Sequence, residues 1–251
     1  MFYAVVLCAV ASLATGAGGV IVAFSQNFSD KKLAVSQGFA AGVMLGVSFM
    51  DMLPHSFNHF GTYMPPWKTI LYIAVLLAAG WVVSLLLAKL AVPQQEDDDE
   101  NIMAVRRLCF VTTAVVMLHN LPEGMLTSFS GFNNKEFGLQ IAFAVALHNI
   151  PEGMAVASSV MYITSSKLKA VWQSFAAGIA ELLGGVIALA VMHRFITQSF
   201  LMATLAVISG IMVQVSLCEL LPAGLKISLP RYVFWGLIGG VIIISLGMLT
   251  I

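Results

Sequence analysis

Two copies of one six-residue phrase, His119-Asn120-Leu121-Pro122-Glu123-Gly124 and His148-Asn149-Ile150-Pro151-Glu152-Gly153, stand 29 residues apart in nearly pure hydrocarbon surroundings. Imidazole nitrogen and carboxylate oxygen together suit Zn2+ and its neighbours Fe2+, Mn2+, Co2+ and Cd2+. Thiolates are missing from both phrases, and they offer no all-oxygen cage for Ca2+. A carboxylate in the middle of a bilayer is unfavourable by several kcal/mol, so a duplicated His-plus-Glu pattern there implies a cationic visitor.

On a helix, positions four apart share a face. His119 and Glu123 therefore point the same way with Asn120 beside Glu123, and His148, Asn149 and Glu152 repeat the arrangement. Each proline removes an N–H, disfavours a straight helix and frees the carbonyl of Leu118 or Leu147, which in hydrocarbon needs a cation or water as partner. Gly124 and Gly153 permit close helix approach. A third acid, Glu181, lies twelve residues from both Lys169 and His193. That is about 18 Å from either edge, the centre of a membrane. His119 and His148 fall at similar depth counted from Arg107 and Glu136, and three glutamates are enough carboxylates to bridge two ions and balance most of their charge.

The elements that must carry these groups follow from composition. Apolar residues make up 59% of the chain and charged residues 10%, and the apolar residues fall in long runs instead of short amphipathic segments. Eight runs can be drawn, at about 2–24, 33–57, 67–90, 103–129, 137–162, 170–192, 200–225 and 232–251. Each is long enough to cross about 30 Å at about 1.5 Å per residue. The expectation is an all-α integral membrane protein, one transmembrane domain over residues 1–251, with a cytoplasmic loop at about 91–102. Cys8, Cys109 and Cys218 lie in separate runs without paired spacing and read as apolar packing residues. Small residues around Ala9 to Ala14 resemble a signal-peptide cleavage region, but no basic segment precedes them, so the first run is expected to stay. No GxxxxGK[ST] loop points to ATP-driven pumping.

Positive residues sit in alternate loops. Lys31, Lys32, Lys89, Arg106, Arg107, Lys167, Lys169, Lys226 and Arg231 fall on one side, against Lys68, Lys135 and Arg194 on the other. The richer side is cytoplasmic by the positive-inside rule, which leaves both termini outside.

The chain also repeats itself. Gly42-Val43-Met44-x3-Ser48-x2-Asp51-x-Leu53-Pro54 returns at an offset of 168 as Gly210-Ile211-Met212-x3-Ser216-x2-Glu219-x-Leu221-Pro222, and Gly18 to Ile21 returns at 166 as Gly184 to Ile187. With the central pair, this reads as a 3+2+3 arrangement of inverted repeats, a construction that lets transporters exchange outward-open and inward-open states around a midplane site.

These residues resemble the Zrt/Irt-like (ZIP) family of divalent metal transporters, in which paired HNxPEG helices recur. Gly38-Phe39-Ala40-Ala41-Gly42-Val43-Met44-Leu45, Asp51-Met52-Leu53-Pro54 and Ala180-Glu181-x2-Gly184-Gly185 are similar to its bacterial ZupT-like branch, and the resemblance covers essentially all eight runs. It implies a bacterial inner-membrane protein with a two-metal site. His119, Glu123, His148, Glu152 and Glu181 would form one position, Asn120, Asn149, Glu123, Glu152 and Glu181 the other, with Met44 as a soft ligand. Many eukaryotic members carry a histidine-rich loop between the third and fourth helices. This chain has Glu96-Asp97-Asp98-Asp99-Glu100 there, either an attractor for released cations or a solvated linker. Asp51, with His55 and His59 close behind, and its repeat counterpart Glu219 read either as outer and inner acceptors for a hydrated cation or as helix-end residues facing water; His193 reads as interfacial.

The expected function is uptake of divalent transition metals, zinc with iron, manganese, cobalt or cadmium, into the cytoplasm by alternating access, with the metal as substrate and no cofactor. Protonated ligands do not bind metal, so uptake should depend on pH. The expected partners are the lipid bilayer and the metal ions, without nucleic acid, and a homodimer is admissible. Two rival readings use the same residues. One is an intramembrane metal-dependent hydrolase, against which HExxH and a separate general base are missing. The other is a proton or cation channel, which would not need the duplicated histidines and asparagines.

Overall fold

A computed structural model describes residues 1–25, 29–90, 100–192 and 197–249, and among these every extended element is a helix, with no strand. The eight helices are α1 (Phe2–Phe24), α2 (Asp30–Gly61), α3 (Pro66–Leu90), α4 (Glu100–Asn133), α5 (Lys135–Thr164), α6 (Lys167–Ile187, running on as a π-helical turn over Ala188–Met192), α7 (Gln198–Ile227) and α8 (Pro230–Met248). Among the described residues, seven are long and apolar enough to cross a membrane. The eighth, α4, carries His119, Asn120, Pro122 and Glu123 within its apolar stretch.

Several helices begin a few residues before their apolar runs, and the side chains of Asn134, Ser166 and Thr197 cap α5, α6 and α7. The Asn134 side chain accepts from the backbone N–H groups of Glu136 (3.0 Å) and Phe137 (3.2 Å) to open α5, and Thr197 accepts from Phe200 (3.1 Å) to open α7. Helix α4 likewise starts at Glu100, so residues 100–102, expected in a loop, are helical. Residues 96–99 and His193 lie outside the described residues.

Prolines act differently in the two kinds of helix. In α2 and α7 a π-helical turn, Ser48–Met52 or Ser216–Leu220, directly precedes the segment containing Pro54 or Pro222. The wider turn relieves the clash of the ring with the carbonyl four residues back. In α4 and α5 the helix continues through Pro122 and Pro151 without such a turn.

Helices α4 and α5 pack against one another at the centre. Helix α1 packs against α5 and α6, α6 also against α4, α2 against α8, and α7 against α3. Small residues bring the backbones together: Gly18 lies on the carbonyl of Ile150, Gly184 on that of Leu121, Gly42 on that of Leu237 and Gly210 on that of Leu77, leaving no room for a side chain. The apolar cores of α3 and α8 are only 17% and 22% buried, so these two helices face the lipid. At the helix ends Lys135 sits over the Tyr3 ring, and Lys31 and Arg231 over that of Tyr232, as expected of aromatic residues at a membrane interface.

Candidate metal site

The two HNxPEG phrases face each other across the α4–α5 contact. His119, Asn120, Asn149, Glu152 and Glu181 are 0% exposed, Glu123 1% and His148 3%. Because each phrase puts its histidine and glutamate on one face, antiparallel neighbours pair them reciprocally. His119 Nε2 lies 3.0 Å from Glu152 Oε2, and His148 Nε2 lies 3.4 Å from Glu123 Oε2. The cross-pairing joins the two helices through four buried side chains.

Glu181 enters from α6 and is held by the second asparagine: Asn149 Nδ2 donates to Glu181 Oε2 at 2.6 Å and to the Ala11 carbonyl at 3.0 Å. Asn120 Nδ2 donates to the Ala177 carbonyl at 3.3 Å. Both amide nitrogens are thus engaged by neighbouring helices, which leaves the amide oxygens for other work. Asn120 Oδ1, Asn149 Oδ1, Glu123 Oε1, Glu152 Oε1, Glu181 Oε1 and His119 Nδ1 are buried and make no hydrogen bond to any described residue. Acceptors gathered at such depth without donors are costly, and a multivalent cation is the species that would compensate them together. Among the described residues no three His, Cys, Asp or Glu side chains converge on one point.

The remaining sequence candidates are more dispersed. Met44 is fully buried in the apolar core on α2 beside Val43 and Val47. Asp51 lies on the π-helical turn of α2, with His55 Nδ1 3.1 Å from its carboxylate, and it lines one small pocket together with Glu123 and His148. Glu219 lies on the matching turn of α7 and is 9% exposed.

Asp51 and His55 line a cavity of about 320 Å3 that ends at His148, and a smaller pocket from the same end touches both Glu123 and His148. A wider vestibule of about 570 Å3, lined by His55, His59, Asn133 and Asn134 among others, adjoins them at the α4–α5 turn. Two participants escape sequence reasoning. Gln140 lines the cavity, and Cys8 places its thiol 3.2 Å from the Glu181 carbonyl, a backbone contact that no spacing announces.

A family model described as ZIP Zinc transporter matches residues 88–248. Similar proteins named Zinc transporter ZupT occur in Chlorobium phaeovibrioides (33% identical, covering 100% of this chain and 98% of that protein), Escherichia fergusonii (35%, 98% and 96%) and Campylobacter jejuni (34%, 99% and 96%). With a family match reaching from the end of α3 to α8 and relatives aligned over essentially the full length, the chain belongs to the ZIP zinc transporter family.

Proposed function

We propose that this protein moves divalent transition metal ions, zinc first among them, across a bacterial inner membrane into the cytoplasm, through a two-metal centre of His119, Asn120, Glu123, His148, Asn149, Glu152 and Glu181. The observation that carries this reading is the reciprocal pairing of two histidines with two glutamates across α4 and α5, beside a third acid, at full burial. Transporter names among the relatives support it over the hydrolase reading. Iron, manganese, cobalt and cadmium share the ligand preferences of zinc closely enough to be further substrates.

The ion is attracted by Asp51, follows the cavity lined by Asp51 and His55 to His148, and exchanges its waters for imidazole nitrogen, carboxylate and amide oxygen. Each carboxylate leaves its histidine partner as it takes the metal. Alternating access then follows from a 3+2+3 arrangement of inverted repeats, for which matched contacts give support. Gly18 on Ile150 corresponds to Gly184 on Leu121, Gly153 on Thr15 to Gly124 on Glu181, and Gly42 on Leu237 to Gly210 on Leu77. Thr15 and Glu181 stand at the same offset of 166 as Gly18 and Gly184. The excess of Lys and Arg on the loops that follow α1, α3, α5 and α7 supports cytoplasmic delivery.

The test is radiometal uptake into proteoliposomes, with Zn2+, Fe2+, Mn2+, Co2+ and Cd2+ offered separately. Wild-type protein is expected to accumulate zinc, and Glu152→Ala and His119→Ala to lose uptake together with zinc binding. Undiminished uptake by both variants would refute the assignment.

A further inference from the structure

Glutamine 37 sits in an apolar stretch of α2, is 0% exposed and takes no part in the metal centre. Its Nε2 donates to Ser158 Oγ at 2.9 Å and to Ser159 Oγ at 3.2 Å, both on α5 and both 0% exposed, while its Oε1 makes no hydrogen bond to any described residue. A half-satisfied buried amide at this depth calls for an explanation.

We propose that Gln37 with Ser158 and Ser159 forms the inner gate of the transport path, a latch that must part before an ion leaves the metal centre toward the end bearing Asp30. This rests on the transport reading above. Ser158 follows Glu152 by six residues on the same helix, so the latch lies about 9 Å beyond the centre. One turn further along, the Tyr162 hydroxyl donates to Asp30 Oδ1 at 3.1 Å and closes the same α2–α5 seam at its outer margin. On the opposite side of the centre the cavities beside Asp51 reach His148 and Glu123. A cavity of about 530 Å3 at the Asp30 end, lined by Lys31, Ser36 and Met154, touches none of the metal-centre side chains, so the centre is reached from the Asp51 end and shut off from the Asp30 end, as in an outward-facing transporter.

The chemistry of the latch fits a gate better than a permanent seal. Apolar side chains would close the seam equally well, but would offer nothing to a hydrated cation once it opened. Gln37 Oε1, Ser158 Oγ and Ser159 Oγ are neutral oxygens, able to accept from the ion's water shell without trapping a dication. The unpartnered Oε1 raises the free energy of the closed state, which keeps the latch easy to open.

The test uses the full-length protein in a Cys8→Ser, Cys109→Ser, Cys218→Ser background with Ala155→Cys as reporter, between Glu152 and Ser158. A membrane-impermeant maleimide is applied to vesicles of each orientation. With the latch intact, labelling from the Asp30 side is slow. Gln37→Ala is expected to raise it about tenfold from that side alone, the effect of losing hydrogen bonds of ordinary net strength. Ser158→Ala combined with Ser159→Ala should do the same and decides the matter should Gln37→Ala fail to fold. Unchanged labelling in the folded variants, or an equal rise from both sides, would overturn the gate. Zinc binding by the parent protein is measured in parallel: its absence would defeat the transport reading while leaving the labelling comparison to judge the latch.

Discussion

Gly124 of α4 lies directly against the backbone carbonyl of Glu181 on α6, with no space for a Cβ between them. The contact fixes the separation of the two helices at the depth of the proposed centre, and so sets how far the Glu181 carboxylate reaches toward Asn149. Gly124→Ala should destabilise the folded protein by about 1–3 kcal/mol, the usual cost of overpacking. Thermal unfolding in detergent checks this against Gly61→Ala, whose added methyl meets nothing within 4 Å. Equal stability of the two variants would show that the close approach is not required.

Asn149 orients Glu181 through its 2.6 Å hydrogen bond. Asn149→Ala removes that donor and leaves a buried carboxylate oxygen without it, a loss of about 1–3 kcal/mol. Zinc affinity measured by calorimetry should fall about 5- to 100-fold, since about 1.4 kcal/mol is a factor of ten. Retention of wild-type affinity would place Asn149 outside the ligand set and show that its hydrogen bond is not needed to hold Glu181.

Asp51 shares the cavity that leads to His148 and carries the acid at its mouth. A charge at an access route raises the local cation concentration and acts less as salt screens it. Asp51→Asn is therefore expected to lower the initial uptake rate at low ionic strength and to approach wild type as salt is added. A defect that persists unchanged at high salt would mean that Asp51 binds the ion directly.

Imidazole binds metal only when neutral and carboxylate only when ionised, so at the proposed centre metal would compete with protons for every ligand. Zinc affinity should rise with pH across about pH 5 to 7.5, the range in which imidazole commonly titrates. The sign is fixed by proton release: acid favours the protonated, metal-free centre. Affinity that is flat across this range would count against histidine ligation.

The sequence made the helices legible because each apolar run is a membrane's thickness long, and the HNxPEG phrase, occurring twice at one depth, made legible that His119, Glu123, His148 and Glu152 meet. Face periodicity places His119 beside Glu123, yet the partner at 3.0 Å is Glu152 of the next helix. The rotation of α4 against α5 is set by the glycine contacts of both helices with α1 and α6, which no local pattern in α4 reveals. The π-helical turns at Ser48–Met52 and Ser216–Leu220 were hidden too, since a proline alone does not say whether the helix kinks, widens or continues, and Pro122 and Pro151 leave theirs α-helical. Gln37 carried no signal because a single amide in an apolar run gains meaning only from what faces it.

The ligand set itself is read most directly by X-ray absorption at the zinc edge on the purified, zinc-loaded protein. A shell of nitrogen and oxygen at about 2.0–2.2 Å with imidazole scattering is expected. The imidazole signal should disappear in the His119→Ala, His148→Ala double variant. An identical spectrum from that variant would contradict a centre built from α4, α5 and α6.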